Sequence, residues 1–179
     1  MIRQLYYFLI DYRRLAGKHW YRMLYIWMSG CAVGVFFYRF ERGLFLILRK
    51  AYPIIRVLFY PLLCLVQAYS RIDVNYRADI GPGFAVLHNS MGITINGGVI
   101  VGKNLTLTGG NVIGGKKAFQ KGEFTIGENV NLGANAVVIG PVTIGNNVKV
   151  GASACVVKDV PNGATVVGVP ARIINLEYE

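Results

Sequence analysis

The chain has 179 residues, more than half of them apolar, with 22 glycines and a formal charge of +10. That length gives one compact domain plus an appendage, and so much glycine excludes a mainly helical protein. The charge is uneven: residues 1–78 hold 12 Lys/Arg against 3 Asp/Glu, residues 79–179 hold 7 against 6, and the two parts are expected to meet different partners. Cys31, Cys64 and Cys155 lie far apart, which suits a reduced cytoplasmic protein better than a secreted disulfide scaffold. Two histidines in the whole chain leave too few ligands for most metal clusters, so no metal is expected.

Residues 1–70 read as an α-helical region, basic and hydrophobic, either associated with a membrane or capping the rest. The longest uncharged stretch, Met23 to Tyr38, is shorter than the about 20 apolar residues of a spanning helix, and no small-residue cleavage site follows it. On a helical wheel from Val35 to Lys50, Arg39, Arg42, Arg49 and Lys50 fall within about 100° of one another. Phe36, Phe37, Phe40, Leu44 and Ile47 occupy much of the rest. The pattern predicts an amphipathic helix in a membrane interface with its arginines toward anionic headgroups; the alternative is a helical cap with solvated arginines. His19, among aromatics, reads as a packed residue. Nothing resembles a zinc module, a helix-turn-helix or a basic–aromatic sheet, so no nucleic-acid partner is expected.

Residues 71–179 form the second unit. From Ile95 the chain keeps a six-residue beat: Ile95, Val101, Leu107 and Ile113, then Ile126, Leu132, Val138, Ile144, Val150 and Val156. Glycine follows many of these positions, and four residues after most of them stands another small or branched residue, as at Val99, Val130 and Ala136. Such a beat means a solenoid, in which each short strand buries its face only by stacking on the next coil. Three rungs make one coil, so residues 18 apart should stack. Gly127-Glu128-Asn129 indeed returns as Gly145-Asn146-Asn147, and Gly133-Ala134 as Gly151-Ala152. The fold class is mainly β, a left-handed parallel β-helix with a helical N-terminal region.

The beat fails twice, and a binding loop must leave the coil. Nine residues separate Val86 from Ile95 where six would serve, and they include His88. Between Ile113 and Ile126 lies a glycine-rich excursion, Gly114–Glu123, which carries Lys116, Lys117 and Lys121. One break holds a candidate base and the other a basic lip.

At these residues the sequence resembles the serine acetyltransferase branch of the hexapeptide acyltransferases, over about residues 70–175. The stretch from Ile72-Asp73-Val74 through Leu87-His88 matches the family segment that carries the catalytic pair, which implies Asp73 and His88 in those roles. Val112-Ile113-Gly114-Gly115 matches the glycine pair beside the thioester. Gly133-Ala134, Gly151-Ala152 and Gly168-Val169-Pro170-Ala171-Arg172 match the coenzyme A groove and the C-terminal signature. The resemblance thus implies acetyl-CoA as co-substrate, held at Gly114, Gly115, Ala134, Ala152 and Pro170, with Lys158 and Arg172 toward its phosphates. It also implies a homotrimer with sites between subunits.

The departures are informative. The family's Asp before the catalytic His, which helps hold the amino acid, is Leu87 here, and its Arg-His pair after the loop aligns with Gly122 and Glu123. The base is kept and the amino-acid clamp is gone, so the chain is similar to the O-acetyltransferases of exopolysaccharide, capsule and colanic-acid-type pathways. Leu87, Asn89 and Glu123 are then the acceptor-side candidates. The expectation is acetylation of a sugar hydroxyl in polysaccharide biosynthesis, on a sugar or polysaccharide acceptor. His88 acts as general base oriented by Asp73, with the Gly114-Gly115 turn as oxyanion donor. The expected place is the cytoplasm, peripheral on the inner face of the membrane. The alternatives are serine O-acetylation for cysteine biosynthesis and a non-catalytic trimeric membrane-associated scaffold. A γ-class carbonic anhydrase needs three histidines, and the repeats offer His88 alone.

Overall fold

The computed structural model describes residues 1–115 and 122–176. Three helices come first: α1 (Ile2–Ala16), α2 (Gly30–Leu48) and α3 (Tyr52–Ser70), with 3-10 turns over Trp20–Leu24, Ile26–Met28 and Arg49–Ala51. Ser29 starts α2 by accepting a hydrogen bond from the Ala32 N–H at 3.2 Å, satisfying one of the donors left free at a helix start. Pro53 sits in the first turn of α3, where its missing N–H has no intrahelical partner to lose. Arg71, at φ 53°, ends α3 and turns the chain straight into the first strand.

The solenoid then winds through β1 (Ile72–Val74), β2 (Asp79–Ile80), β3 (Ala85–Val86), β4 (Ile93–Ile95), β5 (Ile100–Val101), β6 (Thr106–Leu107), β7 (Asn111–Gly115), β8 (Thr125–Ile126) and β9 (Asn131–Leu132). It continues through β10 (Val137–Gly140), β11 (Thr143–Ile144), β12 (Lys149–Val150), β13 (Cys155–Val156) and β14 (Ala164–Val167). Three parallel sheets result: β1-β4-β7-β10-β13, β2-β5-β8-β11, and β3-β6-β9-β12-β14, the last extended by β15 (Arg172–Leu176), which runs antiparallel to β14. The sequence reading is confirmed in kind and lengthened by one coil, since Val74, Ile80 and Val86 sit on the same inward grid as Ile95, Val101 and Leu107. All six are buried, as are the small residues four places on, such as Val99, Val130 and Ala136.

Register shows where the two breaks lie. Val137 pairs with Cys155 and Thr125 with Thr143, a spacing of 18. Ile72 pairs with Ile93, a spacing of 21, and Ile100 with Thr125, a spacing of 25. The first extra segment therefore sits between β3 and β4, and the second between β7 and β8. Corners are held by asparagines with left-handed backbone. Asn104, Asn129 and Asn147 have φ near 60°, and their amides form a ladder, Asn104 to Asn129 at 2.9 Å and Asn129 to Asn147 at 3.0 Å.

The helices close the open end of the solenoid. The first coil has backbone groups with no preceding coil to bond, and side chains from α1 and α2 take them. Asp11 accepts from the Gly83 and Phe84 N–H groups at 2.7 and 2.8 Å, and Arg39 donates to the Ile80 and Gly81 carbonyls at 2.6 and 2.7 Å. Arg39 Nε lies 2.8 Å from Asp11, and both side chains are fully buried. Burial raises the Asp11 carboxyl above the usual carboxylate range, with Arg39 and the two N–H groups opposing that rise. Arg42 donates to the Arg77 carbonyl at 3.1 Å and pairs with Asp79 at 3.1 Å.

This corrects the expected orientation of the arginine stripe: Arg39 and Arg42 face the solenoid, not headgroups, because unpaired carbonyls at the coil edge attract them. Arg49 and Lys50 remain exposed. One helical stretch among the described residues, Gly30–Ser70, is long and apolar enough to cross a membrane by length and composition, whereas none was expected. His19 is also corrected: it is exposed, with its ring 5.3 Å from that of Tyr21.

Candidate active site

The first break is a pinned corner. His88 follows β3, its N–H donates to the Thr108 carbonyl at 3.0 Å, and its side chain is exposed. Two bonds tie the extra segment to the junction of α3 and β1: Arg71 donates to the Ser90 carbonyl at 2.7 Å, and Asn89 Nδ2 donates to the Ser70 carbonyl at 2.9 Å. Asn89 Oδ1 also receives the Cys31 thiol at 3.5 Å. Asn89, expected on the acceptor side, braces the corner here: both ends of its amide are engaged by the helices. Gly30 of α2 is what makes room, since a Cβ there would lie 2.1 Å from Asn89 Nδ2. The thiol of Cys31 is pushed up by burial and stays neutral.

Asp73 stands in the middle of β1 on its outward face, paired with Thr94. It lines a cleft of about 290 Å³ together with Gln67, Arg71, Met91, Thr94 and Asn111. Its Oδ1 accepts a hydrogen bond from Gln67 Nε2 at 2.9 Å, and no bond to His88 is formed. The wall of the cleft reaches Met91, whose Cε would be 2.7 Å from a Cβ at Gly109, while the His88 carbonyl would be 2.5 Å from the same atom. The His88 backbone and Met91 thus pack together on Gly109, and Met91 joins Asp73 in lining the cleft. Leu87 is half exposed beside them, at 52%.

Gly114 and Gly115 do not form the expected turn. They extend β7, paired with Ile139 and Gly140, because the ladder between β7 and β10 runs on past Ile113. The excursion's Lys116, Lys117 and Lys121 lie outside the described residues. Glu123, at its exit, is exposed and leads into Phe124, whose ring fills the space that a side chain at Gly140 would need. His88 and Glu123 are not brought together in one chain. The first lies where the chain enters the β1-β4-β7 sheet and the second where it leaves, a strand's length of about 10–17 Å apart.

Ala134 and Ala152 stack on the same corner as His88, two and three coils further along the solenoid, with the Ser153 N–H bonded to the Ala134 carbonyl at 2.8 Å. Lys158, Pro170 and Arg172 are exposed toward the C-terminal end. Sequence reasoning missed Gln67 and Arg71. Both stand within six residues of Asp73, Gln67 in the last turns of α3 and Arg71 at the junction with β1, on either side of the boundary that composition had drawn.

Residues 125–158 match a family model described as bacterial transferase hexapeptide, six repeats. No curated protein matches the sequence. Among solved structures, serine acetyltransferase of Neisseria gonorrhoeae is similar over 100% of this chain and 67% of its own, with 26% identity and a TM-score of 0.82. The same enzyme in complex with serine aligns over 96% of this chain and 69% of its own, with 27% identity and a TM-score of 0.81. Serine acetyltransferase of Brucella abortus in complex with coenzyme A shares the fold at 23% identity and a TM-score of 0.82, over 99% of this chain and 70% of its own.

Repeat, coil and family match together define an acyltransferase of the hexapeptide-repeat β-helix class. Within that class the solved structures that the chain is similar to over nearly its whole length are serine acetyltransferases.

Proposed function

We propose that the chain transfers an acetyl group from acetyl-CoA to a hydroxyl, with His88 as general base and Asp73 as its partner. The observation that carries this reading is the pinned corner, where His88 is exposed and Met91, three residues on, lines the cleft that contains Asp73. The hydroxyl proton passes to the imidazole as the oxygen attacks the thioester carbonyl. The carbon–sulfur bond then breaks, and the thiolate leaves as the free thiol with that proton. In this reading Asp73, held by Gln67 at one oxygen, orients the imidazole when the reacting groups are bound and stabilises the charge that develops on it during transfer. The small residues Ala134 and Ala152 leave a groove for the cofactor, and Lys158 and Arg172 meet its phosphates. In a homotrimer, Glu123 of one chain would face His88 of the next, which suits their separation within one chain.

The acceptor is L-serine on the strength of the solved relatives, which back that alternative better than the sugar hydroxyl expected from the sequence. The sugar reading keeps one specific support: Leu87 offers no charge to an amino group where the family carries a carboxylate.

A thiol-release assay with acetyl-CoA, run with L-serine and with a panel of sugars, tests both. Acceptor-dependent release is expected to fall about 10²-fold or more in His88→Ala with the far-UV spectrum unchanged. Undiminished turnover in that variant, or no release with any acceptor, sinks the proposal and favours a non-catalytic scaffold.

A further inference from the structure

Residues 1–70 contain two acidic side chains, Asp11 and Glu41, and both are buried in ion pairs, with Arg39 and Arg56 at 2.8 Å each. The exposed charges of the helical region are consequently all positive, among them Arg3, Arg13, Lys18, Arg49 and Lys50. The same region shows an apolar face on α3: Ile54 is 75% exposed, Leu58 80% and Leu65 70%, with Leu62 and Tyr69 along the same stripe. These recur at the spacing of one helix face. Opposite them, α3 is fastened inward: Tyr52 and Arg56 bond Glu41 at 2.7 and 2.8 Å, and Gln67 bonds Asp73 at 2.9 Å. At the start of α3 a groove of about 460 Å³ has an apolar floor of Phe45, Leu46 and Pro53 and a rim of Arg49, Lys50 and Arg77.

We propose that the outer face of α3 docks on an anionic lipid bilayer, with the Arg49–Lys50–Arg77 groove receiving a lipid phosphate. Charge decides the occupant. A second copy of the chain would bring one all-positive surface against another, whereas an anionic bilayer complements it and accepts the leucines as well. Trp20 and Trp27, 74% and 59% exposed, are of the type that settles at headgroup level. The docked helix lies flat. Its inward bonds to Glu41 and Asp73 hold it against the protein, so it cannot leave to span the membrane without breaking them. This surface keeps Arg49 and Lys50 of the stripe expected from the sequence, whose Arg39 and Arg42 face the solenoid instead, and takes its apolar contact from α3.

The purified full chain, floated with vesicles of phosphatidylcholine containing a third phosphatidylglycerol, tests the idea. Binding is expected at low salt, with release at 0.5 M salt and none to phosphatidylcholine alone. Removing two basic contacts in R49A/K50A should weaken binding on the order of 25-fold. Replacing the stripe in L58E/L65E should abolish it, with acetyl transfer and helix content retained. No flotation at low salt, unchanged binding by L58E/L65E, or resistance to alkaline carbonate extraction would overturn the proposal, the last because it marks a spanning helix. Self-association lost in L58E/L65E, without flotation, would overturn it in favour of a second copy.

Discussion

Tyr38 shows how much one buried polar side chain settles. Its hydroxyl donates to the Ala78 carbonyl at 3.0 Å and accepts from the Ile80 N–H at 3.2 Å, which ties α2 to the first coil. Burial disfavours the phenolate and pushes the phenol up to about 12. The folded value lies above the unfolded one, so this stabilisation is complete below about pH 10 and is lost as the pH rises toward about 12. Tyr38→Phe leaves two buried backbone groups short of a partner and is expected to cost about 1–3 kcal/mol at neutral pH. Melting temperatures recorded from pH 8 to pH 11.5 should fall less steeply in the variant than in the parent. A parallel fall would show that Tyr38 does not control the alkaline limit.

At the scale of the element, α2 was half legible. The spacing of Arg39 and Arg42 correctly indicates that they share a helix face, but periodicity reports which residues share a face and not what that face meets. Anionic headgroups and the unpaired carbonyls of a coil edge attract guanidinium in the same way, and only the fold says which is present. The solenoid rungs were readable because each buries one aliphatic residue at fixed intervals. Gln67 and the brace at Asn89 were not, since they act through contacts across the boundary that charge and composition suggested. Gly34 belongs with them: a Cβ there would come within 2.8 Å of Ile72 Cβ, so α2 can lie on β1 only without a side chain. Gly34→Val is expected to lower stability by about 1–3 kcal/mol through overpacking. At Gly114 the nearest atom to a Cβ among the described residues is 3.8 Å away, so Gly114→Ala should melt within a degree or two of the parent. Equal melting temperatures for both variants would refute the close-approach argument.

At the scale of the whole molecule, the helices and the solenoid share one hydrogen-bonded seam. Asp11, Arg14, Tyr38 and Arg39 together complete the hydrogen bonds of residues 78–84 and of the Leu105 carbonyl in the next coil. Residues 71–179 expressed alone would present that edge bare, a template for pairing with other chains. The fragment is expected to be recovered mainly as aggregate, in contrast to the full chain under the same conditions. A soluble fragment with the parent's strand content by circular dichroism would show that the cap is dispensable.

The asparagine ladder has a consequence for how such a protein can change. Asn104 and Asn129 are joined as closely as Asn129 and Asn147, although seven more residues separate the first pair than the second. The coil is therefore indifferent to what is spliced between β7 and β8. Lengthening a flexible insert costs only about 0.6 kcal/mol per doubling. Sequence can be exchanged at that point without renegotiating the rungs, so a lineage could acquire a new acceptor by swapping one loop while inheriting the scaffold intact.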